Sequence, residues 1–138
     1  MSKIMHTEFI SDNPKATADF IGKLFGWKIE KWNDPKMEYY MWRYPDEKTG
    51  GGGIGKAGEM GSKQGPHVDV YVDVENITDT INKARTLGAT QLMGETPIGD
   101  GEMGYFAMLQ IPGGCVLGIW AKNPSMKHEP QPTASQKR

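Results

Sequence analysis

The sequence is poor in cysteine, in long apolar runs and in net charge, and each shortage excludes a class of function. The single Cys115 cannot close an intrachain disulfide and rules out thiolate zinc sites, which need two or more such ligands. A reducing, cytoplasmic setting is therefore expected. No uninterrupted apolar stretch approaches the ~20 residues of a membrane span, and Met1–His6 lacks the apolar core of a secretory leader. Lys and Arg number 16 against 17 Asp and Glu, so no summed positive field draws phosphate backbones or anionic lipid to the surface. Neither nucleic acid nor membrane is expected as a partner.

What is present is regular alternation punctuated by glycine and proline. Residues 3–10 read as a strand, and Asn13-Pro14 as a helix cap followed by a residue suited to the first turn. Ala16, Phe20, Ile21, Leu24 and Phe25 then recur at helical spacing, with Gly26 as the stop. Residues 27–32 and 37–44 read as strands, and the glycine-rich 51–55 as a weaker fourth. After Gly65-Pro66 the pattern restarts. His67 to Val74 alternates without a fault, a helix follows with Ile77, Ile81, Ala84 and Leu87 on one stripe, and strands are expected near 90–94, 104–111 and 115–121. Superposing the halves sets His6 on His67, Glu8 on Asp69 and Asp12 on Asp73, as a duplicated unit would. The order defines an α+β fold, two βαβββ modules in tandem, module one about 3–56 and module two about 66–121 of a single domain over 1–122. Residues 123–138, with three prolines and no apolar pattern, read as a disordered tail.

In an alternating strand, residues two apart share a face, so His67, Asp69 and Tyr71 oppose Val68, Val70 and Val72. The valines are expected to face the helices and the polar set a cavity. On the first strand the same logic gives His6 and Glu8, with Met5 and Phe9 turned to the core. Histidine beside carboxylate can hold a divalent metal ion, act as an acid–base pair, or line a wet pocket by hydrogen bonding. These readings stay open. In 37–44, either Tyr39, Met41 and Arg43 or Tyr40, Trp42 and Tyr44 look into the cavity. An inward Arg43 would pair with a carboxylate or phosphate. Residues 49–56 lack the Ser or Thr after Lys56 that a phosphate loop requires, and 99–102 lacks the spaced acids of a calcium loop.

The order of elements, a histidine opening each half, Leu24-Phe25-Gly26-Trp27, and Tyr105-Phe106-Ala107 running into Pro112-Gly113-Gly114 together resemble the vicinal-oxygen-chelate superfamily of glyoxalases, bleomycin-resistance proteins and dihydroxybiphenyl dioxygenases. That resemblance covers residues 3–121 and implies a curved mixed sheet around a cup. In metal-dependent members it implies one histidine from each first strand, here His6 and His67, and a carboxylate from the last strand of each half. Gly118 stands at one carboxylate position, and Gly51 to Gly55 offers no acid at the other. Glu8 and Asp69 are the local substitutes. The ending Leu117-Gly118-Ile119-Trp120 resembles a branch in which glycine opens the cup and Trp120 walls it. The expectation is a glyoxalase-like, homodimeric domain that binds a small metabolite. His6, His67 and Glu8 are its candidate catalytic groups, Asp69, Tyr71, Trp120 and Arg43 its ligand contacts, and His6 with His67 its metal ligands. Metal-dependent or acid–base lyase or isomerase chemistry is one function for it; the alternative is non-catalytic sequestration of a small molecule.

Overall fold

The computed structural model describes residues 2–46, 50–59 and 65–125. Its elements are β1 (Ile4–Ser11), α1 (Pro14–Phe25), β2 (Lys28–Lys31), β3 (Tyr40–Arg43), β4 (Gly52–Lys56), β5 (His67–Asp73), α2 (Ile77–Thr86), β6 (Thr90–Pro97), β7 (Tyr105–Gln110) and β8 (Val116–Ala121). The order is βαβββ twice, so the chain is α+β as its periodicity requires. Two compact units are formed, one from Met1–Asp73 with Val116–Gly118, the other from Val74–Cys115 with Ile119–Arg138. No helix of the described residues is long and apolar enough to cross a membrane.

In the first unit the strands run in the order β2-β3-β4-β1-β5. β1 is parallel to β4 and antiparallel to β5, while β3 is antiparallel to both β2 and β4. Helix α1 starts where Asn13 Oδ1 accepts the Ala16 N–H at 3.1 Å, with Pro14 supplying a fixed φ and no orphan donor. It stops at Gly26, whose φ of 73° is the left-handed conformation that closes helices. The face it buries is Pro14, Ala18 and Ile21. This corrects the expected stripe, because Phe20 and Leu24 are 64% and 58% exposed. Beneath α1 the indoles of Trp27 and Trp42 stack at 4.3 Å, and Ile54, Phe9, Tyr40 and Tyr44 pack around them. Those rings fill the space, so the helix meets them with Ala18.

The same packing decides which face of β3 looks outward. Tyr40, Trp42 and Tyr44 belong to the core, which leaves Tyr39, Met41 and Arg43 on the opposite side. On β5 the alternation holds but its burial is reversed from expectation: Val68 is 55% exposed and Asp69 only 5%. Helix α1 packs over β1, β2, β3 and β4 and does not reach β5, so Val68 goes uncovered and Val70 and Val72 are only half-buried, while Asp69 is buried beside its hydrogen-bonded neighbour His67.

In the second unit the order is β8-β7-β6. Helix α2 is capped by Asn76, which accepts the Asp79 N–H at 2.8 Å, and sets Ile77 and Ile81 on Ala107, Leu109, Ile119 and Ala121. Leu87 is the C-cap and is 69% exposed, so it leaves the expected stripe where the helix ends. Ser125 Oγ bonds to Glu95 and accepts the Thr78 N–H, so structure extends past residue 122. The rest of the expected tail, 126–138, lies outside the described residues.

Candidate functional site

The site is built around the carboxylate of Glu8 on β1. Tyr39, arriving from the turn before β3, donates its hydroxyl to Glu8 Oε2 at 2.6 Å, and Tyr71 of β5 donates to Oε1 at 3.0 Å. His6, two residues earlier on the same face of β1, places Nε2 3.0 Å from the Tyr39 oxygen and 3.6 Å from Glu8 Oε2. The edge of its ring meets Tyr71 at 5.6 Å and 73°. Four side chains from three segments thus form one hydrogen-bonded cluster. Burial pushes the Glu8 carboxyl pKa up, but the hydrogen bonds from His6, Tyr39 and Tyr71 together with the charge of His6 outweigh it, and the net shift is downward. Both phenols move up, chiefly through burial and then through the adjacent Glu8 charge.

Two glycines make room for these rings. A Cβ on Gly53, which pairs with Glu8 across the β1–β4 ladder, would lie 1.7 Å from the Tyr39 hydroxyl oxygen. A Cβ on Gly118 would lie 2.3 Å from the Tyr71 ring. Gly118 is where the superfamily resemblance locates a last-strand carboxylate, and Gly53 lies in the acid-free stretch of the first half. At both places a tyrosine occupies the volume a side chain would take.

The two histidines do not converge. β1 and β5 are antiparallel, with Glu8 opposite Asp69, His6 opposite Tyr71 and His67 opposite Ile10. Residues equivalent by duplication therefore run in opposite directions, and His6 and His67 stand four positions apart along the ladder, about 13 Å of strand. This corrects the expectation of a shared ligand pair. Among the described residues no three His, Cys, Asp or Glu side chains are grouped to hold a metal ion. Glu8 accepts hydrogen bonds from both phenols, and no third such ligand stands with it and His6 among the described residues, so the donor set does not fit the metal of the superfamily.

His67 sits instead in its own pair, with Nδ1 2.9 Å from the Gly65 carbonyl and Nε2 3.3 Å from Asp69 Oδ2. Both partners are acceptors, so each ring nitrogen of His67 has an oxygen within reach. Asp69 is buried beneath this pair. Trp120 belongs to the second unit, where its indole N–H donates to the Met103 carbonyl at 3.0 Å and its ring covers Gly104.

A groove of about 670 Å³ opens beside His6, where β1, β2 and β4 begin and β3 ends. Its walls include Met5, His6, Lys28, Met41 and Arg43, and Gly50 to Gly52 line it as well. Ile4 and His6 pair with the successive residues Val72 and Tyr71, so Met5 is an extra residue, a bulge. Met5 and His6 consequently both reach the groove, and Met5 does not simply face the core as expected. Sequence reasoning left Tyr39 and Arg43 on one of two possible faces; the richer apolar content of Tyr40, Trp42 and Tyr44 is the signal that separates them. It passed over Lys28, whose position opposite Arg43 depends on strand register.

No protein-family model and no curated protein matches the sequence significantly. Solved structures do match. A glyoxalase/bleomycin resistance protein/dioxygenase superfamily member from Vibrio splendidus 12B01 aligns at TM-score 0.60 and 14% identity, over 88% of this chain and 99% of that one. Methylmalonyl-CoA epimerase from Mycobacterium tuberculosis aligns at 0.65 and 10%, over 88% of each chain. The Mn(II)-bound glyoxalase from Novosphingobium aromaticivorans aligns at 0.63 and 8%, over 95% of this chain and 44% of its own. The chain therefore has the fold of the vicinal-oxygen-chelate superfamily. At these identities the likeness is one of fold, and function must be argued from the site.

Two outcomes follow from the cluster. Gly118→Ala is expected to cost about 1–3 kcal/mol by overpacking against Tyr71, and to cost close to nothing in a Tyr71→Ala background. Urea denaturation of the four proteins measures the cycle, and an equal cost in both backgrounds removes the steric explanation. Glu8 titrates below its ordinary 4.5 in the folded state, so the stability it confers is complete above pH 4.5 and is lost as pH falls through the folded value. The phenols titrate above their ordinary 10.0, so their contribution is complete below pH 10 and declines as pH rises beyond it. Denaturation midpoints across pH 10 should drop more steeply for the wild type than for Tyr39→Phe or Tyr71→Phe.

Proposed function

We propose that this protein binds a small anionic metabolite in the groove beside His6, without a metal ion. The observation that carries the reading is the directly opposed pair Lys28 and Arg43 across the β2–β3 ladder, both on the groove wall. Like charges face to face in a ladder are unfavourable. Among the described residues neither has an ion-pair partner, although Glu30 lies two residues from Lys28 on the same strand. A carboxylate or phosphate seated between them would relieve the repulsion and accept the guanidinium's fork of donors. The volume suits a ligand of metabolite size, and Met5, Met41 and Ile29 supply apolar wall for its body.

His6 is the group placed to act on such a ligand, by acid–base chemistry of the lyase or isomerase kind. Glu8 and Tyr71 support it from behind, and the His67–Asp69 pair fixes β5. The rival is a binder that sequesters its ligand unchanged, for which Arg43 matters and His6 does not. The same reading takes the protein to be cytoplasmic and homodimeric, with exposed Phe20, Leu24 and Phe25 of α1 as apolar area for a second copy to cover.

Calorimetric titration at low salt with a panel of aliphatic and aromatic carboxylates and phosphate monoesters tests the ligand class. A member of the panel should bind with equal affinity before and after EDTA treatment, and Arg43→Ala should weaken it about tenfold or more. Affinity that is indifferent to Arg43→Ala, or that vanishes with the chelator, sinks the proposal. For the dimer, sedimentation velocity should give twice the chain mass, and Phe20→Ser/Leu24→Ser should halve it; a monomer in the wild type refutes that part.

A further inference from the structure

Tyr39 has one hydroxyl proton and two neighbours in reach of it. Its oxygen lies 2.6 Å from Glu8 Oε2 and 3.0 Å from His6 Nε2. A carboxylate held ionised can only accept, so the shorter contact is satisfied only when Tyr39 donates. Tyr71 cannot replace that donation, since its own hydroxyl proton goes to Oε1 at 3.0 Å. With the phenol proton taken, the contact to the imidazole closes only if Nε2 carries a hydrogen and donates into the Tyr39 lone pair. The other ring nitrogen has no partner among the described residues, and His6 lines the groove.

We infer that His6 is held with its proton on Nε2 and offers Nδ1 to the groove as the proton-accepting atom, with Tyr39 as the positioning residue and Glu8 anchoring Tyr39. This rests on the reading of the groove as a ligand site and deepens it, since the ligand is then an anion that also carries an acidic C–H or O–H. In the forward step that hydrogen passes as a proton to the Nδ1 lone pair. The broken bond leaves its electron pair on the ligand, on whose side Lys28 and Arg43 stand, and the imidazolium returns the proton to complete the exchange. No metal, oxidant or further reactant enters. The charged and titratable groups about the ring are Glu8, Tyr39 and Tyr71 in the cluster, and Lys28, Glu30 and Arg43 in the groove.

The duplicated strand gives a built-in contrast. His67 has an acceptor within reach of each nitrogen, Gly65 O and Asp69 Oδ2, and does not line the groove. His6 has a partner at one nitrogen alone. The arrangement on β1 is therefore specific to that strand and does not follow from the His-x-acid spacing the two share.

Protein labelled with ¹⁵N in its imidazoles, observed by two-bond proton–nitrogen correlation at a pH where His6 is neutral, tests the inference without any ligand. The His6 signals are assigned by their loss in His6→Gln. The wild type should show the Nε2–H tautomer alone. Glu8→Leu releases the Tyr39 proton to swing onto Nε2, so His6 should switch to the Nδ1–H tautomer. A merely structural Glu8 would not move the tautomer. A wild type in the Nδ1–H form or in a mixture of the two overturns the proposal, as does a folded Glu8→Leu protein that keeps the wild-type pattern. Should Glu8→Leu lose its dispersed amide spectrum and so prove unfolded, the wild-type tautomer decides by itself. Failure of the anion titration leaves this result standing, and failure here leaves the anion site standing, so the two are separable.

Discussion

A carboxylate buried on a central strand is the constraint from which the first unit is best understood. Removing an ionised group from water costs several kcal/mol, and it persists only where donors replace the lost hydration. Glu8 has two, the hydroxyls of Tyr39 and Tyr71, drawn from the segment before β3 and from β5, with His6 behind Tyr39 on β1 itself. Each donor in turn needs a place to stand. Gly53 and Gly118 provide both, because any larger residue would overlap the phenols. Two glycines that look like losses from a metal site are therefore requirements of a different centre. The cluster is also cooperative in a plain sense: removing one donor strands a buried charge, while the other members keep their desolvation cost.

That centre dictates the character of the groove beside it. β1 and β4 are parallel and β3 runs the other way, so one end of the unit gathers the starts of β1, β2 and β4 with the finish of β3. His6 lies at that end and Arg43 closes β3 there, opposite Lys28. The bulge at Met5 adds an apolar contact on the same side without disturbing Glu8, since the register recovers by His6. Cationic wall, apolar wall and imidazole thus meet through topology, while the carboxylate stays behind the ring.

Much of this was legible in the residues. The cap Asn13, the stop at Gly26, the fault-free alternation of β5 and the restart after Gly65-Pro66 are local signals, and local signals survive folding. What failed were inferences about partners. The valines of β5 are expected in the helix layer because apolar faces usually are, but α1 packs elsewhere, Val68 is left exposed and Asp69 is the buried residue of the strand. Phe20 and Leu24 lie off the face that α1 buries, which is formed by Pro14, Ala18 and Ile21, with Ala18 set against the stacked indoles. The pairing of His6 with His67 failed for a reason of symmetry. Superposing duplicated strands in sequence puts equivalent residues together, whereas antiparallel pairing in space sends them to opposite ends of the ladder.

The repeated βαβββ order also sets one spacing in two different surroundings. His-x-acid on an isolated strand says that imidazole and carboxylate share a face, and nothing more. On β5 the Gly65 carbonyl and the Asp69 carboxylate stand one at each ring nitrogen, away from the groove lining. On β1 the bulge and the open start of β4 leave one edge of the ring uncovered, while Tyr39 intervenes on the other between imidazole and carboxylate. The intervening phenol matters because a direct carboxylate contact can serve either protonation state of a histidine, whereas a phenol that has already given its proton can serve only as an acceptor. The difference between the two histidines of this chain therefore lies in what stands between the ring and its acid.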